Sequence, residues 1–420
     1  MGQPARLLAA LRDGRFLDRH RAVGWSAVLL VVELIAAAFA TLWTHGVFTT
    51  VQPATTDFSS FYAAGRLALG ADPALVYDQA AHYAAQQAAT LPGVEHNVFF
   101  YPPVFLLLLA PLARLPYLVG FAVLAGLGLA LYLPVGARVL GLPGVRGLLP
   151  VLAFPSVVWA IGMGQNSLLT AAIFGAGLLL LDRRPVLAGL VLGLLCYKPH
   201  FGLLLPVALA AGRHWRAFAA AAFSVAGLVA VTLLLFGWQT WHAYLLAFAG
   251  SGGVYTSGKV SFGAFVTPFG AALLLGAPPA VAGSVQAVAL VLTAGAVAWV
   301  WHGAAPLAAR ASVLLAATLL AVPLALFYDM MPLALGIFWL ARQGRSDGFL
   351  PWERLTLAAV FGVPLLSRYI GLGLHLPLGP LASLAVLTFG VLRARSGPQP
   401  DGFVALPSDR RLLIARHVAP

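Results

Sequence analysis

The sequence predicts an all-α polytopic membrane protein, and three observations predict it. The chain of 420 residues is 61% hydrophobic and only 9% charged, whereas charged residues make up about a quarter of an ordinary globular protein; mean hydropathy is +0.91. Its apolar residues fall in continuous runs such as 25–44, 217–236, 281–300 and 311–327, near the length that crosses a hydrocarbon core of about 30 Å as a helix. They lack the period-two alternation of a membrane barrel. Finally, the basic residues sit in short clusters between those runs, at 6–21, 183–184, 213–216, 342–345 and 393–416. That is the positive-inside pattern, so the net charge of +12 reads as orientation, with attraction to anionic lipid secondary, and not as a nucleic-acid surface. The single cysteine, Cys196, excludes an internal disulfide and a multi-cysteine metal site.

Taken in order, 25–44 is the first span, preceded by a basic head expected in the cytoplasm and carrying no separate cleavable signal. The segment 46–103 is then an outer loop, periplasmic or extracellular. It is dense in polar groups (Asp57, Arg66, Asp72, Asp78, His82, Glu95 and His96) in a chain with only 13 acidic residues. Within it, 58–69 and 75–90 read as short amphipathic helices suited to a membrane surface, ended by Pro92-Gly93 and Pro102-Pro103. The apolar stretch 104–113 is too short to span and reads as a half-helix or re-entrant segment. Spans follow at 118–138, at 147–161 (broken at Pro155), at 168–181, 185–196, 201–211 and 217–236. A second outer loop at 237–279 precedes spans at 281–301, 311–327, 332–340, 355–371 and 378–392. This gives about twelve crossings in one multi-span domain, 1–395, with both termini cytoplasmic, and a disordered tail at 396–420. No repeated halves are visible, so the inverted-repeat signature of secondary transporters is missing.

This threading brings distant polar residues to one membrane face: Asp57, Arg66, Tyr101, Gln165, Asn166, Lys198, His200, Lys259, Tyr328, Asp329 and Arg368. An ionisable group near membrane depth is costly and marks function or a buried pair. Lys198 is one of two lysines, with Lys259 the other; its apolar flanks demand an anionic partner, which a lipid phosphate would supply. Each group also has a plain reading. Asp57 either caps the following helix or acts chemically. Lys198 is a site cation or a snorkelling anchor. Gln165-Asn166 would satisfy backbone at a helix break. His82 and His96 read as surface residues of a solvated loop, and His200 as interfacial, with no zinc-like spacing. Tyr62, Tyr101 and Tyr328 fit an aromatic belt or a sugar platform. Asp329, between Phe327 and Met330, needs a cation or a proton. Glu33 is the clearest ionisable group inside a span.

At these residues the chain resembles glycosyltransferase family 87, a GT-C-type group of polyprenol-phosphate-sugar-dependent transferases that includes mycobacterial phosphatidylinositol mannoside mannosyltransferases. The resemblance rests on DFSSFYAAGRLALGADPALVYD (57–78), YPPVFLLLLAPLARLPY (101–117), FPSVVWAIGMGQNSLL (154–169) and RRPVLAGLVLGLLCYKPHFGLLLPVALAAGRHW (183–215). SFGAFVTPFGAALLLGAP (261–278) is a weaker match. It implies a GT-C-like bundle in which Asp57, after the first span, is the general base and Lys198 in YKP contacts the donor phosphate. Where the family often has a histidine near the outer end of a late span, this chain has Tyr328-Asp329-Met330. An anionic Asp329 would repel phosphate, which leaves it to the acceptor sugar or to Arg368.

The implied reaction is inverting hexosyl or mannosyl transfer from a polyprenyl-phosphate donor to a glycolipid or cell-envelope glycan, on the outer face of the plasma (inner) membrane. A carboxylate takes the acceptor proton and cations (Lys198, with Arg66 or Lys259 helping) stabilise the departing phosphate. Neither a cofactor nor a metal is called for. The expected partners are the lipid-linked donor, the acceptor and membrane lipid, and not nucleic acid. The rivals are a flippase or transporter for lipid-linked sugars, which would need a continuous polar path, and a ligase or phosphotransferase for polyprenyl-linked glycans.

Overall fold

Helices account for most of the described residues because the long apolar stretches can satisfy their backbone groups only internally. The computed structural model describes residues 3–44, 56–256 and 260–395; Lys259 and the tail from 396 lie outside them. The helices run α1 (Gln3–Asp13), α2 (Arg19–Thr44), α3 (Asp57–Ala68), α4 (Gln79–Ala89), α5 (Leu106–Leu112), α6 (Tyr117–Leu140), α7 (Val145–Leu152), α8 (Ser156–Gly162), α9 (Ser167–Leu180) and α10 (Pro185–Gly193). They continue as α11 (Leu205–Ala211), α12 (Trp215–Gly250), α13 (Gly252–Thr256), α14 (Pro268–Leu274), α15 (Pro279–His302), α16 (Leu307–Ala321), α17 (Met331–Asp347), α18 (Glu353–Leu374) and α19 (Leu378–Arg395). Among the described residues the one β-type pairing is an isolated antiparallel bridge between Phe265 and Leu326.

Six of these helices are long and apolar enough to cross a membrane: α2, α6, α12, α15, α18 and α19. The count becomes seven if α7 and α8, bent by 63° at their break, act as one. The break falls at Phe154-Pro155, where proline ends a helix by removing a donor. The remaining apolar helices are 10–17 residues long, so length alone does not carry the count to the twelve crossings read from the sequence. The long helices turn apolar side chains outward, as Phe39 and Leu42 of α2, Leu234 of α12 and Val291 of α15 do; on a lipid-facing surface such exposure costs nothing. The short ones do the opposite. α16 and the first two-thirds of α17 are almost wholly buried, as expected for helices that are hydrophobic all round.

Three stretches differ from the sequence reading. The segment 237–279 is largely helical: α12 continues past a non-helical Gly237 (φ 79°, ψ 165°) to Gly250, and α13 and α14 follow. Only glycine accepts that φ cheaply, so the residue read as the start of a loop is instead a bend between two helical halves. α3 does not lie open with one apolar face. Phe58, Ser59, Ser60, Phe61, Ala63, Ala64, Gly65 and Ala68 are all buried, and a Cβ at Gly65 would sit 2.4 Å from the Leu109 carbonyl oxygen of α5. His82 and His96 are not solvated surface residues: His82 is buried, with Nδ1 3.1 Å from His96 Nε2 and its own Nε2 3.1 Å from the Ser60 carbonyl. Together with Gln86, which donates to Ser59 Oγ at 2.8 Å, they tie α4 onto α3.

At the basic end of the bundle α18 and α19 are joined by a buried ion pair in which Arg393 donates through both Nε and Nη2 to the two oxygens of Glu353. At the other end an aromatic cluster holds α3 against α6 and the loop before α5. Phe58 meets Tyr117 at 5.1 Å and Phe121 at 5.6 Å, and Phe61 meets Phe105 at 5.2 Å and Tyr101 at 5.3 Å. Edge-on pairs of this kind add about 0.5–1.5 kcal/mol each beyond burial. This cluster sets where α3 begins, and α3 begins with Asp57.

Candidate active site

The N-terminus of α3 is docked on the turn between α8 and α9. The backbone N–H groups of Asp57 and Phe58 both donate to the Met163 carbonyl, at 3.0 and 3.3 Å. The approach is so close that a Cβ on Gly164 would lie 2.3 Å from Phe58 Cβ, at a φ of +66° that already favours glycine. The GMGQNS turn therefore holds Gln165 and Asn166 directly beside Asp57. The cap reading of Asp57 does not hold: Thr56 is the N-cap residue, and no side-chain capping bond forms. Instead Gln165 and Tyr328 hydrogen-bond the Asp57 carboxyl group. Its Oδ2 is sealed from solvent without a partner among the described residues. Burial pushes the group up to about 6, and the charge of Asp329 pushes the same way; the Gln165 bond, the Lys198 charge and the Tyr328 bond offset part of this.

Lys198 enters from the other side. The chain leaves α10 through a short 3-10 turn, Leu194–Tyr197, and Pro199 opens another, so Lys198 sits at a break with non-helical φ −134° and ψ 67°. Its Nζ donates to Asp329 Oδ1 at 2.6 Å and to Asn166 Oδ1 at 3.3 Å, and both ion-pair partners are buried. It also lies 4.8 Å from the centre of the Phe201 ring. Ser167 Oγ donates to the same Asp329 Oδ1 at 2.7 Å, and Asp329 Oδ2 accepts from the Leu326 N–H at 3.3 Å. Asn166 Nδ2 is buried with no partner among the described residues. Tyr197 OH, 2.6 Å from Thr170 Oγ1 and 3.3 Å from the Asn166 carbonyl, fixes the floor under this pair.

These groups border a cavity of about 130 Å³ lined by Tyr101, Lys198, His200, Tyr328 and Asp329 with further aromatic walls from Tyr244 and Phe265. Tyr101 OH donates to Gln165 Oε1 at 3.5 Å, which links the cavity wall to the Asp57 cluster. His200 lies within electrostatic reach of both Lys198 and Asp329. A cation, two carboxylates, unspent amide capacity and aromatic faces thus meet at one end of an apolar bundle. Aromatic walls with a few convergent polar groups are the usual make-up of a small-molecule site.

Of the residues singled out from the sequence, Asp57, Tyr101, Gln165, Asn166, Lys198, His200, Tyr328 and Asp329 come together. Three do not. Arg66 is exposed near the far end of α3, nine residues and about 14 Å along the axis from Asp57. Tyr62 is a packing residue: its OH donates to the Leu115 carbonyl at 2.8 Å and its ring meets Tyr117 at 5.3 Å. Arg368 stacks over Phe327 at 5.6 Å, and the ion-pair partner of Asp329 is Lys198, not Arg368. Lys259 lies outside the described residues. Ser167, Thr170 and Tyr197 belong to the network without having been singled out, although each adjoins or closely follows a residue that was.

The fold defines a membrane-embedded protein, and its candidate site sits at one end of the helical bundle. The sequence profile of glycosyltransferase family 87 matches residues 99–326, more than half of the chain, and the chain belongs to that family. It is therefore a membrane glycosyltransferase. The matched region contains Tyr101, Gln165, Asn166, Lys198 and His200; Asp57 precedes it, and Tyr328 and Asp329 follow it closely. Comparison with curated proteins and with solved structures returned no match.

Proposed function

We propose that the protein transfers a hexose, on the mannosyltransferase pattern, from a polyprenyl-phosphate donor to a lipid-linked or cell-envelope glycan at the outer face of the plasma membrane. The observation that carries this reading is the joining of Asp57 to Lys198 through Gln165, Asn166, Tyr328 and Asp329 beside one aromatic-walled cavity. That arrangement offers a base and a cation a side chain apart, as an attacking hydroxyl and a departing phosphate require.

In this mechanism the acceptor hydroxyl attacks the anomeric carbon while Asp57 takes its proton. The bond from that carbon to the phosphate oxygen breaks, its electron pair leaves with the phosphate, and the anomeric centre inverts. Lys198 Nζ and the free Asn166 Nδ2 meet the charge growing on the phosphate oxygen. Because Asp329 already accepts from Lys198, it limits how tightly phosphate is held and keeps the ammonium oriented before the donor arrives. Burial suits Asp57 to the task, since a base near 6 takes up a proton more readily than an ordinary carboxylate. The polyprenyl tail rests against the exposed apolar faces of the long helices, and the short buried helices α16 and α17 keep the site rigid from below.

The test is sugar transfer by purified wild type and Asp57→Asn, with a panel of polyprenyl-phosphate hexoses and a membrane glycolipid extract as acceptor. Wild type is expected to form product and Asp57→Asn to lose about a hundredfold or more. An undiminished variant would move the base elsewhere, with Asp329 next in line. Donor binding without product in either protein would turn the reading towards lipid-linked sugar transport.

A further inference from the structure

A second and larger cavity lies at the opposite end of the bundle from Asp57. α6 starts at Tyr117, which meets Phe58 edge-on beside Asp57, and ends at Leu140, which lines this cavity; α17 likewise starts next to Asp329 and carries Arg345 to it. The helix rise separates the two sites by about 25–35 Å. The cavity, of about 740 Å³, falls within the roughly 300–1,000 Å³ of sites that hold small molecules. It exists because α2 packs chiefly on α7 and α8, leaving a cleft towards α17 and α18. Leu29, Phe338, Leu357 and Phe361 line it.

Its charged rim is unbalanced. Arg19, Arg345 and Arg354 border the cleft, and Asp18 is the single carboxylate among the lining residues. Asp18 is already engaged, accepting from the Arg21 N–H at 2.8 Å with the Arg21 guanidinium 4.0 Å away. Arg345 lies within electrostatic reach of Arg19 and Arg342, both like charges. Arg345 donates to the Leu140 carbonyl and Arg354 to the Gly14 carbonyl, and Arg354 Nε is buried without a partner among the described residues. Neutral backbone acceptors do not cancel these charges. A cluster of guanidinium groups at the mouth of an apolar cleft matches one molecule in both halves: an anion joined to hydrocarbon.

We infer that this cleft binds an anionic membrane phospholipid, its acyl chain between α2 and α18 and its phosphate among Arg19, Arg345 and Arg354. Such a lipid would brace α2, whose other contacts are few, against the bundle. The site is separate from the sugar-transfer chemistry and would hold lipid whatever the donor or acceptor.

The test uses the full chain in mild detergent, incubated with equal amounts of phosphatidylglycerol and phosphatidylcholine, with retained lipid counted by native mass spectrometry. Wild type is expected to retain phosphatidylglycerol in preference. Arg19→Gln, at an exposed position whose side chain makes no hydrogen bond or ion pair among the described residues, should lower that preference about fivefold, the worth of one interfacial arginine. Gly362→Leu fills the cleft, because a Cβ there meets nothing within 4 Å; it should abolish retention while leaving thermal unfolding in lipid-free detergent unchanged. Equal retention of the two lipids, or wild-type retention by both variants, would overturn the inference. So would stabilisation by inorganic phosphate that equals stabilisation by phosphatidylglycerol, since that defines a free-anion site.

Discussion

Lys198 and Asp329, 131 residues apart in sequence, form a 2.6 Å ion pair inside an apolar bundle. Two buried charges persist there only if each is paired and hydrogen-bonded, and Ser167, Asn166 and the Leu326 N–H supply those further bonds. Removing one partner leaves the other uncompensated, which costs about 3–5 kcal/mol. Asp329→Ala is therefore expected to destabilise strongly, and more than Asp329→Asn, which keeps an acceptor for Ser167 and Lys198. The pair Lys198→Met with Asp329→Leu should recover most of the stability and none of the activity. Thermal unfolding in detergent beside a transfer assay checks all of these. Equal melting temperatures for wild type and Asp329→Ala would remove the pair from any structural role.

Asp57 carries a pH signature. Its folded pKa is raised to about 6, first by burial, so the base form grows in as pH rises through about 6. Transfer is expected to rise over the same range and level off above about pH 7. The stability sign is the reverse. Between the ordinary aspartate value of about 4 and the folded value of about 6 the native state holds a proton that the unfolded chain has lost. Stability therefore falls as pH climbs through that window. At neutral pH the ionised group costs no more than about 3 kcal/mol, part of which Asp57→Asn should return. A variant that melts higher at pH 7 yet transfers no sugar is the expected outcome; one that melts lower at pH 7 would contradict it.

Much of this was legible in the sequence because membrane helices announce themselves by run length and composition. The spans of α2, α6, α15, α18 and α19, and the break at Pro155, lie within a few residues of where the apolar runs put them. Lys198 stood out by rarity, and Gln165-Asn166 by polarity within an apolar stretch. What the sequence does not carry is distance. Nothing local says that Asp329 faces Lys198 and not Arg368, or that Arg66 ends a helix length away from Asp57. Composition also misled where polarity was spent inside: the residues around His82 read as a solvated loop, yet their polar groups satisfy one another between α3 and α4. Gly237, finally, reads equally as a loop start or a helix bend, because its φ is invisible in its identity.

The His82 cluster should oppose Asp57 in acid. Burial holds His82 down to about 4, with the His96 charge acting the same way and the Ser60 carbonyl against it. Between about 4 and 6.5 the unfolded chain binds a proton that the folded chain refuses, so stability is lost as pH falls through that window, by up to about 3 kcal/mol. The Asp57 gain opposes this loss between pH 4 and 6, while His200, which burial holds down to about 3, adds to it. His82→Gln removes its own share of the loss, so on acidification from pH 6.5 to 4 its melting temperature should gain on that of wild type. Parallel curves for the two proteins would show that His82 does not titrate with folding.

Gly164 tests whether the position of Asp57 matters separately from its chemistry. An added methyl group would meet Phe58 Cβ at 2.3 Å and would occupy a backbone with φ +66°, so both the contact and the conformation resist it. The cheapest relief is to push the start of α3 away from the Met163 carbonyl, because the rest of α3 is locked by the Phe61 and Tyr117 ring contacts. That displacement moves the Asp57 carboxyl off Gln165 and Tyr328 by an ångström or so, a shift that can cost about a hundredfold in rate. Gly164→Ala is therefore expected to fold, melt lower than wild type, and lose transfer activity while retaining lipid-phosphate donor binding at Lys198. The paired measurement is donor binding against turnover on the same preparation. Loss of both together would mean that the turn between α8 and α9 supports the whole site, and loss of neither would show that α3 can yield without moving its first residue.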